Sequence, residues 1–218
     1  MISSRYADRA EAGRRLAALL DPPEDPAAAP TVLALPRGGV PVAAPIAERF
    51  GVRLDIVAVR KLGVPDQPEL AMGALARIGD RVEHLRNDRV IAQSGVTEPA
   101  YQRVLAEERQ TLDARHQALR GDRPALELTG RPVIIVDDGL ATGTTMLVAI
   151  EAVRRCGAAS VTAVVPVASE QAARLIADRA DRLVCPSVPA IFRAVGQAYR
   201  DFDPIPEAEA RRILNPER

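Results

Sequence analysis

VIIVDDGLATGTTM, residues 133–146, runs an apolar, β-branched stretch into two adjacent carboxylates and then into a loop of Thr, Gly and Ala. A core strand has no use for paired carboxylates, and a surface loop needs no such apolar lead-in. The pattern marks the carboxyl end of a buried strand, which is where open parallel sheets bind ligands. Neighbouring side chains on a strand point to opposite faces, but at a fraying end both can turn into the crevice. Asp137 and Asp138 would there accept hydrogen bonds from sugar hydroxyls or sit near a bound divalent cation. Ala141, Thr142, Gly143, Thr144 and Thr145 then open a helix, whose first N–H groups lack internal partners and carry the positive end of its dipole. Gly143 admits a phosphate close to the backbone, and the threonines add hydroxyls. Carboxylates for ribose hydroxyls, followed at once by a phosphate cradle, describe a holder for a ribose 5-phosphate group.

Working outward, the chain alternates short apolar runs with amphipathic ones. Residues 4–20 read as a helix stopped by the prolines of DPPEDPAAAP, 21–30. Strands are expected at 31–35, 54–59, 161–168 and 182–185, besides the one that opens the motif. Helices are expected at 40–51, closed by Gly51, at 98–119, at 145–156, closed by Gly157, and at 169–180. Gly63, Pro65 and Pro68 predict a structureless loop over 62–70, ahead of a hairpin that turns at 78–80. Continuous β-branched strands separated by helices give an α/β fold, a parallel sheet with helices on both faces.

Composition narrows the function. Lys+Arg and Asp+Glu number 29 each in 218 residues, so no global field draws the chain to nucleic acid or to an anionic membrane. Neither a signal peptide nor a membrane-spanning segment is legible, and the cytoplasm is the expected compartment. Cys156 and Cys185 lack metal-ligand spacing and read as small hydrophobes. The G-x-x-x-x-G-K-[ST] and G-x-G-x-x-G fingerprints are absent. Neither His84 nor His116 is assigned a catalytic role. A second anion motif stands at LPRGGVP, 35–41, where Gly38 and Gly39 permit backbone N–H groups to face an anion and Arg37 adds charge. Arg60 and Lys61 end the next strand and are expected at the same crevice edge.

VIIVDDGLATGTT resembles the phosphoribosyl pyrophosphate (PRPP) signature of the type I phosphoribosyltransferases at every defining position. LPRGGVP is similar to that family's pyrophosphate loop, in which a non-proline cis peptide is common. RKLGVPDQPELAMGAL, 60–75, looks like a segment of a stand-alone bacterial subgroup, some relatives of which are fused to a hydrolase-type domain. The resemblance implies one domain over 1–218, with a core at about 31–185 and a small hood from about 1–20 and 186–218, plus an inserted hairpin and long helix. It implies that Asp137 and Asp138 take the ribose and residues 141–145 the 5-phosphate. Arg37, Gly38, Gly39, Arg60 and Lys61 would take the pyrophosphate, with Arg37 and Lys61 stabilising the leaving group. Mg²⁺ would bind through PRPP and water rather than through direct protein ligands. Phe192, Tyr199 and Phe202, in IFRAVGQAYRDF, would meet the acceptor, and residues 62–70 would be the mobile loop. The implied activity is transfer of 5-phosphoribosyl from PRPP to an unidentified nucleobase-like heterocycle, and members of the family are often homodimers. Ala141 stands where the 6-oxopurine enzymes carry an acidic residue, which speaks against that acceptor class. The alternatives are a non-catalytic PRPP- or nucleotide-binding regulator and a hydrolase of a phosphorylated sugar.

Overall fold

A computed structural model describes residues 5–124 and 126–216. The part of the expected N-terminal helix and hood that falls on residues 1–4 and 217–218 lies outside them. The elements are α1 (Arg9–Ala17), β1 (Thr31–Ala34), α2 (Gly39–Arg49), β2 (Leu54–Val64), β3 (Gln67–Ile78), β4 (Arg81–Arg86), α3 (Asp88–Ser94), α4 (Glu98–Arg120), β5 (Pro132–Val136), α5 (Thr144–Arg155), β6 (Ser160–Val164), α6 (Glu170–Ala177), β7 (Arg182–Val184) and α7 (Glu207–Leu214). One seven-stranded sheet runs β4-β3-β2-β1-β5-β6-β7. Its pairs are parallel from β2 through β1, β5 and β6 to β7, and antiparallel across β2, β3 and β4.

The strands sort their side chains by the two-residue period. Leu33, Val57, Val133 and Ile135 face α5 and α6, packing on Met146, Ile150, Val153 and Ile176. Val32, Ala34, Ile56, Ile134 and Val136 face the other way, onto Leu16 of α1, Ile46 of α2 and Leu214 of α7. With both faces of the central strands covered, the near-continuous apolar runs of the sequence follow. A third cluster, with Leu62, Met72, Leu75, Tyr101 and Leu112, seats α4 on the back of the antiparallel extension.

Two expectations are corrected. Residues 62–70 are not structureless: β2 continues to Val64, turns at Pro65 and Asp66, and returns as β3 from Gln67. Gly63 carries the close approach, since a Cβ there would lie 2.7 Å from the Pro68 carbonyl oxygen. Pro68 is tolerated because β4 pairs only with Gly73–Ile78, so its missing N–H falls where β3 has no second neighbour. Helix α3, absent from the sequence reading, is capped by Asn87 accepting from Val90 N–H and closed by Gly95 at φ 65°.

The terminal segments meet each other. Tyr6 N–H donates to the Ala198 carbonyl and Arg200 N–H to that of Tyr6. Tyr6, Ala12, Val167, Ala198 and Tyr199 form a small apolar cluster with Phe192, Val195 and Phe202 packed on it. Cys156 and Cys185 are free thiols, the first buried and the second partly exposed. Among the described residues no helix is long and apolar enough to cross a membrane.

Candidate active site

Strand β1 lies between β2 and β5, so the chain leaves its carboxyl end in one direction and rejoins the sheet on the other side. Such a switch point opens a crevice, and the two motifs flank it. After β1, the cis peptide Pro36–Arg37 leads into Gly38 and the start of α2. After β5 come Asp137 and Asp138. The two ends touch: a Cβ on Gly39 would lie 2.5 Å from the Val136 carbonyl oxygen, and one on Gly38 would lie 2.1 Å from Asp138 Oδ2. Gly39 is therefore required for close packing of α2 against the end of β5, while Gly38 leaves room for the Asp138 carboxylate. Their expected role as anion donors is corrected at Gly39, whose N–H donates to the Leu35 carbonyl at 3.0 Å.

Each carboxylate of the pair has one oxygen engaged. Asp137 Oδ1 accepts the Asp138 N–H at 2.8 Å. Asp138 Oδ2 accepts from Arg9 Nε at 2.8 Å, a pairing with no sequence signal, because Arg9 is one of several arginines on a charged first helix. Arg9 is 7% exposed. It also donates to the Asp203 carbonyl at 2.9 Å, and its guanidinium lies 3.9 Å from the Phe202 ring centroid. Tyr199 OH donates to the Asp138 carbonyl at 2.7 Å. Burial, and then the neighbouring Asp138 charge, push the Asp137 carboxyl well above its usual range. Burial also raises Asp138, against which Arg9 pulls it back down.

The loop over 141–145 leads into α5. Gly143 takes φ 76° as the N-cap of α5 and has no side chain to cap it, while Thr142 Oγ1 accepts the Thr144 N–H at a long 3.5 Å. Thr142 and Thr144 hydroxyls stand 3.2 Å apart, and Ser169, the N-cap of α6, holds the loop by donating to the Ala141 carbonyl at 2.7 Å. A cleft of about 620 Å³ opens from this loop toward the hairpin, lined by Thr142, Thr144, Thr145, Lys61, Glu69 and Arg86 among others.

Arg60 and Lys61 are not brought together, because consecutive strand residues face opposite ways. Lys61 lines the cleft beside the threonines and pairs with Glu69 at 3.2 Å. Arg60 instead lines a second hollow of about 340 Å³ with Arg37 and Arg115 of α4, and its Nε donates to Glu108 at 2.6 Å. Arg37 thus shares this hollow with Arg60 and with Arg115, the last of which carries no sequence signal, and not with Lys61. The aromatic assignment is corrected at Tyr199. Tyr199 is buried at 2% exposure, its ring stacked on Phe202 at 4.9 Å, so these rings form the core of the terminal segments and offer no open stacking face at Tyr199. Phe192 packs on the same cluster.

Comparison with known proteins decides the family. The phosphoribosyl transferase domain model matches residues 5–202. The chain belongs to that family. A relative from Mycobacterium tuberculosis (strain H37Rv), "Putative phosphoribosyl transferase Rv0571c", is 41% identical over 210 residues, covering 96% of this chain and 46% of its own length. The chain thus spans about half the length of the curated relatives it matches. Among solved structures, TT1426 from Thermus thermophilus superposes with a TM-score of 0.81 at 39% identity, covering 96% of this chain and 97% of that one.

For a phosphoribosyl transferase domain, the metal question turns on the donor set. Among the described residues no group of three or more His, Cys, Asp or Glu side chains could enclose an ion. Magnesium commonly keeps several waters and takes substrate phosphates as ligands. A site that supplies anion-receptive loops and no cage fits an ion that arrives on a diphosphate.

Proposed function

We propose that this domain transfers the 5-phosphoribosyl group of PRPP to a nitrogen heterocycle of nucleobase size, releasing diphosphate. The observation that carries the reading is the abutment of two strand-end loops at the β1/β5 switch point, one bearing a carboxylate pair and a helix start with glycine as its N-cap, the other Arg37. In this reading Asp137 Oδ2 and Asp138 Oδ1, the oxygens without an internal partner, accept the two ribose hydroxyls. Ala141–Thr145 receive the 5-phosphate through helix-start N–H groups and threonine hydroxyls. Arg37 and Gly38 meet the diphosphate, with Arg60 and Arg115 behind them, and Lys61 faces the 5-phosphate side across the cleft.

The reaction breaks the bond from C1 to the diphosphate oxygen and forms one from C1 to the acceptor nitrogen. The diphosphate leaves with the bonding electrons, so positive charge builds at C1 and negative charge on the departing oxygen. Holding both ends of the substrate keeps C1 aligned, and arginines fixed near the leaving oxygen stabilise its charge without reorganising. Magnesium, bound to the diphosphate and its own water, would neutralise part of that charge.

Calorimetric titration of PRPP, with and without Mg²⁺, tests the reading. Binding that depends on Mg²⁺ is expected, and Asp138→Asn should weaken it by roughly 1.5–3 kcal/mol, the worth of a charge-assisted hydrogen bond. Absence of binding, or unchanged affinity in the variant, would overturn the ribose assignment.

A further inference from the structure

The signature loop contains the carboxylates but not the group that orients them. Asp138 is gripped from three directions, none of them its own strand. Arg9 of α1 takes Oδ2 at 2.8 Å, Tyr199 OH takes the backbone carbonyl at 2.7 Å, and Gly38 packs so close that its missing Cβ would overlap Oδ2. Arg9 in turn is fixed by the Asp203 carbonyl and by the Phe202 ring beneath it. Rotation of the Asp138 carboxylate out of this plane would swing its second oxygen away from the crevice. A buried guanidinium held at its far end opposes that.

We propose that Arg9 is a positioning residue for the ribose site, pinning Asp138 by Oδ2 so that Oδ1 faces the substrate hydroxyl. The inference rests on the reading given under Proposed function. The charged groups facing Asp138 are few: Asp137 from the same strand end and Arg9 from α1. Tyr199 brings a hydroxyl from the C-terminal segment, and the start of α2 presents only backbone. Two adjacent carboxyls removed from water resist double ionisation, and Arg9 supplies the compensating charge. Without it the pair holds a proton to higher pH, and one ribose acceptor becomes a donor.

The test uses the full chain with Arg9→Gln, Arg9→Lys and the double variant Arg9→Gln/Asp138→Asn. Two readouts are taken between about pH 5 and about pH 9. The first, without ligand, is the carboxyl carbon NMR titration of Asp137 and Asp138. The second is PRPP·Mg²⁺ affinity by calorimetry. Arg9→Gln should move proton uptake by the pair to higher pH and weaken PRPP roughly tenfold near pH 6.5, with partial recovery as the pH rises. Arg9→Lys, which keeps the charge but loses the planar fork, should restore the titration and only part of the affinity. In the Asp138→Asn background Arg9→Gln should add nothing. An unchanged titration in Arg9→Gln, or losses of affinity that simply add, would overturn the proposal. If Arg9→Gln fails to fold, the Arg9→Lys titration and affinity decide it. If the wild-type chain binds no PRPP, the functional reading falls, while the titration still decides whether Arg9 governs Asp138.

Discussion

Gly39 has no side chain because the carbonyl of Val136 occupies the space, and backbone at the end of a central strand has nowhere to move. Gly39→Ala should therefore separate the two loops, costing about 1–3 kcal/mol of stability and PRPP binding with it. Denaturant unfolding and calorimetry on the same preparation check both. Asp137 carries the opposite kind of constraint. Its folded pKa is raised by burial and by the Asp138 charge, above the unfolded value of about 3.9. The folded chain binds that proton more tightly than the unfolded chain, so this group stabilises less and less as pH climbs through the folded pKa. Asp137→Asn should melt at a higher temperature than wild type at pH 8, with the gain vanishing toward pH 4, while losing PRPP affinity. A lower melting temperature at pH 8 would mean that the hydrogen bond from Asp138 N–H outweighs desolvation. The adjacent carboxylates were legible in the sequence because an apolar strand ending in them has no structural use. Arg9 was not, since nothing in RYADRAEAGRR distinguishes the arginine that turns inward.

At the scale of elements, helix α4 is legible almost to the residue, yet the place of its histidine is not. His116 follows Leu112 by four and precedes Leu119 by three, and so it lies on the buried stripe at 2% exposure. Its Nε2 finds no hydrogen-bond partner among the described residues. Burial, reinforced by Arg77 and Arg120, lowers its pKa to about 4. The unfolded chain takes up the proton first, near pH 6.5, so stability is lost as pH falls from there toward about 4, by roughly 3 kcal/mol in all. Unfolding midpoints across that window should follow this slope, and His116→Leu should flatten it. The hairpin of β2 and β3 escapes the sequence for a different reason. Gly63, Pro65 and Pro68 are loop residues in isolation, and only the open side of β3 makes a proline harmless there. Propensity sees the residue; the ladder decides whether its lost N–H matters.

At the scale of the molecule, the strands of the parallel side were legible in the sequence, because buried strands announce themselves, whereas their order β2-β1-β5-β6-β7 was not. The antiparallel extension was visible as a hairpin, but its membership of the same seven-stranded sheet depends on β2 continuing past Val59, which no local signal states. Long-range charge pairing was equally hidden. Asp55 of β2, 4% exposed, meets Arg120 Nε at 3.1 Å and Arg123 Nη1 at 3.8 Å, while Arg123 also reaches Leu54 and Asn215. The cluster ties the sheet, the end of α4 and the segment after α7 into one body. Asp55→Ala leaves two guanidinium groups without their counter-charge and should cost about 3–5 kcal/mol. A guanidinium chloride midpoint that barely moves would mean that the backbone carbonyls around Arg120 and Arg123 suffice.

The grip on Asp138 joins residues 194 apart along the chain, Arg9 and Asp203, across a strand end made between them. Synthesis proceeds from the amino end, so the central strands can pair once β5 has emerged, and the Tyr199–Asp203 segment follows only later. A product stalled or terminated between the two can therefore hold much of its sheet while its Arg9 lacks an anchor. If Arg9 orients Asp138 as proposed, competence for the ligand arrives only once that late segment has been translated, and quality control that samples folding alone would pass chains that binding would reject.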